Sequence, residues 1–327
     1  MYLNHFSLKT EPFHITPDPE FLFLSPSHKE ALATVIYGVK QRKGFVQITG
    51  EVGVGKTTIL RSYLEQNLGA RLKTIYIFNP NLSFPSLLKT ICSELGVTRA
   101  NDDTNEMLSG LHQGLIEEYS RGGTVALIID EAQNMPMETL ENLRMLSNLE
   151  TAKDKLIQII FSGQPEFEQL LNRHELRQLK QRMAISATIT RLSKAESAGY
   201  IRHRLTQAGL RQGATLFTPA ALKRIVTQAK GIPRSINILC DNALLTAFGY
   251  QKKKVDRAIA REIIADSKGK KVRSRNLCRV WLAVLLIIAI VLGWLLSHEY
   301  TFTSGVTAQK NSAIPDEQVQ IGRSEER

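Results

Sequence analysis

Apolar positions along residues 45–161 follow two different periods, and these predict strands that alternate with helices. Short, mostly apolar runs predict four strands, at residues 45–49, 74–78, 125–129 and 156–161. Apolar residues at helical spacing predict the intervening helices, at about residues 56–68, 83–95 and 103–119. Ahead of the first strand, Ser27 and Glu30 have the spacing of a helix capping box. Alternation of this kind is typical of a parallel α/β sheet flanked by helices.

Beyond Arg191 the pattern changes to helices alone. Ser193 and Glu196 have the spacing of a second capping box, Thr218 precedes a proline that is well placed to begin a helix, and Pro233 opens another helix. We therefore predict an α/β core at residues 1–191, followed by a small all-α lid at residues 192–266.

Residues 280–296 form an unbroken apolar run, which would extend roughly 25 Å as a helix. Trp281 and Trp294 lie near its ends, where aromatic rings favour the membrane interface. A buried core helix is the alternative, but such a helix usually carries a polar stripe. We predict a single transmembrane helix, with a basic juxtamembrane linker at residues 267–279 before it and a short, disordered periplasmic tail at residues 297–327 after it.

The formal net charge is +11, and much of the excess lies beside this apolar run. Basic residues occur six times in residues 268–279 without an acidic one, whereas the tail is acidic overall. The positive-inside rule therefore places the N-terminal domain in the cytoplasm. The basic linker also suits anionic lipid headgroups. Three widely spaced cysteines indicate a reducing compartment, and the first ten residues lack the apolar core of a cleavable signal.

A phosphate-binding loop follows the first predicted strand. Gly50, four intervening residues, Gly55, Lys56 and Thr57 match the spacing of such a loop between a strand and a helix. Lys56 is placed to reach the β- and γ-phosphates of ATP, and the Thr57 hydroxyl to ligate Mg²⁺. A glycine-rich turn beside an ordinary surface lysine is the alternative. The predicted ATP-binding residues are Gly50, Glu51, Val52, Gly53, Val54, Gly55, Lys56, Thr57 and Thr58.

An acidic pair ends the most apolar of the predicted strands. Carboxylates at the carboxyl end of a buried parallel strand face the crevice where α/β sheets bind ligands. We predict that Asp130 holds Mg²⁺ together with Thr57, and that Glu131 orients and deprotonates the attacking water. The alternative is a cap for the next helix. After the fourth strand, Ser162 or Gln164 is a candidate sensor of the γ-phosphate, with a simple turn as the other interpretation.

Several motifs in the same order resemble the AAA+ ATPases. Within that superfamily, Pro12-Phe13, Asp130-Glu131-Ala132-Gln133 and Gly163-Gln164-Pro165-Glu166 closely resemble the general secretion pathway protein A (ExeA-type) family. The resemblance implies a homo-oligomer in the bacterial inner membrane that uses ATP and Mg²⁺ and works with secretion or pilus assembly proteins. Family members carry a peptidoglycan-binding domain after the membrane span. Residues 297–327 are too few and too polar to form one.

The resemblance also implies roles for four residues outside the loop and the acidic pair. Arg182, with Arg177 as second choice, matches the arginine finger that enters the neighbouring subunit's site. Arg234 matches the second sensor in the lid, and Asn79 a switch residue that restrains the catalytic glutamate. A helix-surface position is the alternative for the arginines, and a turn position for the asparagine.

Two functions from different classes are consistent with the sequence. The first is a membrane-anchored AAA+ ATPase that drives assembly or remodelling of an envelope secretion or pilus system. The second is a nucleotide-switched DNA-binding AAA+ protein of the transposition or replication-loader type. Residues 168–211 contain nine basic and three acidic residues, and this positive charge supports the second function. Because the predicted membrane span opposes it, nucleic acid is not the expected partner. A scaffold that binds ATP but barely hydrolyses it is a third possibility.

Overall fold

The structure is a computed structural model that describes residues 2–66, 71–97, 103–183, 185–267, 290 and 291. Its strands are β1 (Phe45–Gly50), β2 (Leu72–Ile77), β3 (Thr124–Ile129), β4 (Ile157–Gly163) and β5 (Ile185–Ile189). The helices up to β5 are α1 (Tyr2–Phe6), α2 (Pro26–Lys40), α3 (Lys56–Gln66), α4 (Phe84–Leu95), α5 (Thr104–Ser120), α6 (Met137–Leu146), α7 (Pro165–Leu171) and α8 (Arg177–Arg182). Those after β5 are α9 (Lys194–Gln207), α10 (Pro219–Ala229), α11 (Pro233–Gly249) and α12 (Arg257–Ser267).

The five strands form one sheet in the order β2-β3-β4-β1-β5, and every neighbouring pair is parallel. The predicted parallel α/β sheet is therefore confirmed. The register pairs Thr49 with Gly163 and Ile129 with Phe161, so that β1, β3 and β4 end at the same edge. The loop after β1 and the acidic pair after β3 thus lie at that edge.

The strand β5 was not predicted. It forms an edge of the sheet beside β1, and its side chains alternate between buried and more exposed positions. Only Ala187 and Ile189 are buried, so the segment lacks the continuous apolar run that identified the other strands.

Two further expectations about helix ends have different outcomes. The helix α2 is capped by Ser25 rather than Ser27, because Pro26 supplies the first helical residue with its fixed φ. The Ser193–Glu196 capping box is confirmed, since both reciprocal hydrogen bonds are present at the start of α9.

Side chains of the sheet pack on both of its faces. Along β3, Val125, Leu127 and Ile129 pack into a core with α4, α5 and α6. Ala126 and Ile128 pack into a second core with α2 and α3. This period of two, with both faces apolar, explains why β3 reads as a continuous hydrophobic run.

A third core holds the helices α9–α12 together. The N-terminal residues Tyr2, Phe6, Phe13 and Phe21 pack into this core rather than onto the sheet. Residues at the start of the chain are thus brought to the helices that follow the sheet. Through this long-range contact, the N-terminal segment forms one side of the candidate site.

Met1–Gly269 forms one compact unit, and a second unit, Lys270–Arg327, is described only at the helical residues Ile290 and Val291. In the described part of the chain, no helix combines the length and apolar character needed to cross a bilayer. Apart from Ile290 and Val291, the predicted span at 280–296 lies outside the described residues. The same is true of residues 268–279 and of the tail at 297–327.

Candidate active site

The glycine-rich loop connects β1 to the amino end of α3. Lys56, the first residue of that helix, is buried, and its Nζ donates to the backbone oxygens of Gly50 at 2.8 Å and Glu51 at 3.1 Å. Burial lowers the pKa of Lys56, and the neighbouring carboxylates of Glu131 and Asp130 oppose that shift. The ammonium group is thus held inside the loop, beside the acidic pair.

Gly53 is a point at which this loop contacts helix α11. Its φ of +79° favours glycine, and an added Cβ would lie 2.8 Å from Cβ of Arg234. The backbone N–H of Arg234 also donates to the Gly53 oxygen at 3.2 Å. The start of α11 therefore rests directly on the phosphate loop.

Asp130 accepts hydrogen bonds from four groups on different elements. Its Oδ2 accepts from the Thr57 hydroxyl on α3 and the Tyr76 hydroxyl on β2, both at 2.9 Å. Its Oδ1 accepts from the Ser162 hydroxyl at 2.7 Å and from the Glu131 N–H at 3.0 Å. A hydroxyl and a carboxylate are the hard oxygen donors that Mg²⁺ prefers, with water and phosphate oxygens completing its shell.

Tyr76 was not identified from the sequence. Its phenol is partly buried, and burial and the adjacent Asp130 carboxylate both raise its pKa above the usual value for tyrosine. It therefore acts as a neutral donor to Asp130. The alternation of β2 predicts that Tyr76 lies on the opposite face from Ile75 and Ile77, but does not predict its partner.

Glu131 is held by two glutamine side chains. Its φ of +52° is unusual for a residue other than glycine, and its Oε2 accepts from Nε2 of Gln133 at 2.7 Å and of Gln164 at 3.0 Å. Gln133 in turn accepts the backbone N–H of Gln164 through its Oε1 at 3.0 Å. The segment after β3 is thus tied to the segment after β4 at the carboxylate. The sequence indicated a role for Gln164 but none for Gln133.

Asn79, the switch residue implied by the family resemblance, is exposed. Its side-chain oxygen accepts the backbone N–H of Asn81 at 3.3 Å, which is the contact of a local turn. Among the described residues, the side-chain hydrogen bonds to Glu131 come from Gln133 and Gln164 instead.

A cavity of about 380 Å³ lies over the phosphate loop. Its lining includes loop residues Val52–Thr58, together with Glu131 and Arg234. The hydrogen bonds described above connect this lining to Asp130, Ser162 and Gln164. Glu51 instead forms an ion pair with Arg191, in which Oε1 of the glutamate accepts from Nε of the arginine at 2.8 Å.

On the far side of the cavity, the N-terminal segment contacts helices α9 and α11. Arg204 of α9 donates to the backbone oxygen of Pro12 at 2.5 Å and stacks its guanidinium over Phe21, 4.5 Å from the ring centroid. Burial lowers the pKa of this arginine. Asn237 of α11 accepts from the Tyr200 hydroxyl at 2.8 Å and donates to the oxygen of His14 at 3.1 Å. No sequence motif indicated this network.

His28 of α2 contacts the backbone of the phosphate loop. Its two ring nitrogens lie 2.6 Å from the Ser25 hydroxyl and 2.9 Å from the backbone oxygen of Val54. Burial lowers the pKa of His28, so the ring is neutral at neutral pH. A neutral ring hydrogen-bonded to the loop oxygen fixes the backbone next to Gly55.

Arg182, the candidate finger, lies at the end of α8 and is not among the described residues that line the cavity. Its guanidinium donates to the Ser147 hydroxyl at the end of α6 and to Oδ1 of Asn148 at 2.8 Å. Arg177, the second choice, begins α8 and is likewise absent from the described lining of the cavity.

The parallel sheet and the glycine-rich loop at its carboxyl edge define a P-loop NTPase fold. Residues 39–171 match the family model described as AAA domain. The chain is also related to General secretion pathway protein A of Aeromonas hydrophila. The two are 41% identical over 256 residues, which make up 78% of this chain and 46% of the relative. The chain thus spans less than half of that protein.

Solved structures show the same fold at low sequence identity. Cdc6p from Pyrobaculum aerophilum is 20% identical with a TM-score of 0.58, covering 83% of this chain and 71% of that one. The Aeropyrum pernix ORC2 protein, in a structure described as ADPNP-ADP complexes, is 16% identical with a TM-score of 0.55. That match covers 76% of this chain and 72% of the other.

Proposed function

We propose that this protein is an ATP hydrolase whose site lies in the cavity over residues 52–58. One observation carries the proposal: the Thr57 hydroxyl of the phosphate loop donates to the Asp130 carboxylate at 2.9 Å. This contact brings the loop and the acidic pair, which are 73 residues apart, to one point at the carboxyl edge of the sheet.

Each residue of the group has a defined role in this proposal. The loop N–H groups and Lys56 bind the phosphates, and Arg234 on α11 reports the bound nucleotide to the helical domain. Thr57 and Asp130 would hold Mg²⁺, which neutralises charge on the phosphates. Glu131 accepts a proton from the attacking water, while Gln133 and Gln164 orient its carboxylate. Ser162 fixes the orientation of Asp130.

Two substitutions test the site. Glu131→Gln is expected to retain ATP affinity and lose nearly all turnover, because the amide cannot accept the proton. Lys56→Ala is expected to lose ATP binding itself. Binding is measured with a fluorescent ATP analogue and turnover by phosphate release, each with and without Mg²⁺. Glu141→Gln, on α6, is the matched control. Wild-type turnover in Glu131→Gln would remove Glu131 as the base.

We propose further that the active form is an oligomer in which Arg182 completes the site of a neighbour. An Arg182→Ala subunit keeps an intact ATP-binding loop but supplies no arginine to its neighbour. A Lys56→Ala subunit has a defective loop but still supplies Arg182. Each variant alone is expected to be inactive, and a mixture to regain part of the turnover. Co-assembled mixtures without any recovery would refute a finger supplied in trans, and recovery with Arg177→Ala instead would transfer the role to Arg177.

The membrane proposal rests on the sequence. We propose an ATPase core at residues 1–191, a lid at 192–266, a basic linker at 267–279, a single inner-membrane span at 280–296 and a periplasmic tail at 297–327. A periplasmic reporter fused after Arg327 should be active, and one fused after Lys254 inactive. The reverse pattern would overturn this topology.

The relative's name, General secretion pathway protein A, supports a role in secretion. We propose that ATP turnover drives assembly or remodelling of an inner-membrane secretion or pilus system. Co-purification of partners with the Glu131→Gln variant in detergent, compared with Lys56→Ala, tests this role. The DNA-binding alternative predicts a steep salt dependence of duplex affinity. Absence of duplex binding at low salt would dismiss it.

A further inference from the structure

A basic groove lies between α10 and α12, outside the ATP site. It encloses about 550 Å³. Lys223 and Arg224 on α10 and Arg257 on α12 line it, and Ala220 and Ile264 supply apolar surface. The groove therefore offers three cations around a partly apolar floor.

The cations of the groove are available to an outside anion. None of the ion pairs in the described part of the chain includes Lys223, Arg224 or Arg257. On α12, Arg261 and Ile264 follow Arg257 at intervals of four and seven residues and so share its face.

The acidic residues of α12 do not share that face. Glu262 and Asp266 are five and nine residues from Arg257, which turns them toward the opposite side of the helix. Glu262 also accepts the Tyr250 hydroxyl at 2.8 Å. The face that borders the groove is therefore basic, with no carboxylate to neutralise it.

The position of the groove along the chain suggests what its ligand is. The helix α12 ends at Ser267, and twelve residues, six of them basic, separate it from the apolar run that starts at Val280. A fully extended chain of that length reaches roughly 40 Å. If residues 280–296 span the membrane, as proposed above, α12 stays within that distance of the cytoplasmic leaflet.

We propose that the groove between α10 and α12 is a docking site for the anionic phospholipid surface of the membrane. Headgroup phosphates bind among Lys223, Arg224 and Arg257, and the apolar floor receives the less polar part of the headgroup region. The basic linker is thus extended by a folded basic face. This inference rests on the proposed membrane span. Duplex DNA also carries phosphates, but neither the apolar floor nor the short tether is needed to bind it.

Energy transfer in nanodiscs tests the proposal with the full chain. A donor dye is attached at Ala258→Cys, which is exposed on α12 beside Arg257, in a background carrying Cys278→Ser. The two described cysteines are buried and unlabelled. The acceptor is a labelled lipid headgroup. Discs contain either phosphatidylcholine alone or about a third phosphatidylglycerol, at low and at high salt.

Docking predicts higher transfer in the phosphatidylglycerol discs, and a return to the phosphatidylcholine level in high salt. A basic residue near an anionic surface is worth roughly a five-fold preference, so three amount to on the order of a hundred-fold. The variant Lys223→Glu/Arg224→Glu/Arg257→Glu should therefore lose most of the dependence on phosphatidylglycerol and keep only the part that the basic linker contributes. The variant Lys40→Glu/Lys43→Glu/Lys153→Glu has the same change in charge on exposed positions elsewhere and should behave as wild type.

The remaining outcomes separate the two proposals. The groove would be refuted as a lipid site if the protein incorporates into discs but energy transfer does not depend on lipid charge. It would also be refuted if both triple variants lose the dependence on phosphatidylglycerol equally. Failure of the chain to incorporate into discs would refute the membrane span and with it the docking proposal. Salt-sensitive duplex DNA binding that only the groove variant loses, without lipid dependence, would assign the groove to nucleic acid instead.

Discussion

The two glutamines that hold Glu131 provide the sharpest test of how the site works. Both Nε2 groups donate to the same carboxylate oxygen, and Gln133 also accepts the backbone N–H of Gln164. Replacing either glutamine with alanine removes one donor and leaves the other. The expected result is a lower kcat with little change in ATP affinity, because both glutamines contact Glu131, the proposed base, and neither belongs to the described lining of the cavity.

The expected size follows from the strength of these contacts. A hydrogen bond to a charged group contributes about 1.5–3 kcal/mol, and about 1.4 kcal/mol corresponds to a tenfold change in rate. Each single substitution should therefore lower kcat by roughly 10- to 100-fold. Because Gln133 and Gln164 bind each other as well as Glu131, the double variant should lose less than the product of the single effects.

Phosphate-release kinetics over a range of ATP concentrations measure kcat and KM, and equilibrium binding measures ATP affinity. Gln178→Ala, an exposed glutamine on α8, is the matched control. In a Glu131→Gln background, neither substitution should have a further effect. Strictly multiplicative losses in kcat, or losses confined to ATP affinity, would refute the view that the glutamines act through Glu131.

Two other predictions concern the support of the phosphate loop. Burial lowers the pKa of His28 in the folded protein below the ordinary 6.5. As the pH falls through that value, the unfolded state therefore binds a proton more readily than the folded state does. The free energy of unfolding should drop between pH 8 and 5.5 by more in wild type than in His28→Gln. Urea denaturation of both proteins measures the difference, and equal pH dependence would contradict it. Gly53→Ala should weaken ATP binding at least tenfold, because the new methyl group would collide with Arg234. The control is Gly213→Ala, which has a similar φ of +82° but open space around it and should bind ATP normally. Titration with a fluorescent ATP analogue distinguishes the two variants, and equal affinities would contradict a role in ATP binding for the contact between Gly53 and Arg234.

Much of the fold is encoded locally and could be predicted. The strands β1, β3 and β4 are central and buried on both faces, so their apolar runs stand out in the sequence. The edge strand β5 does not, because only part of it is covered. Capping at Ser193 was equally predictable from spacing, whereas at α2 the position of Pro26 decided the cap.

The sequence by itself identified the glycine-rich loop with Lys56 and Thr57, and the acidic pair that begins at Asp130, because each motif lies within one short segment of the chain. Only the tertiary structure decided which distant side chains meet them. Tyr76 reaches Asp130 from the neighbouring strand, and Arg204 joins the start of the chain to helices almost 200 residues later. Such contacts depend on strand order and on packing between elements, and neither leaves a local pattern in the chain.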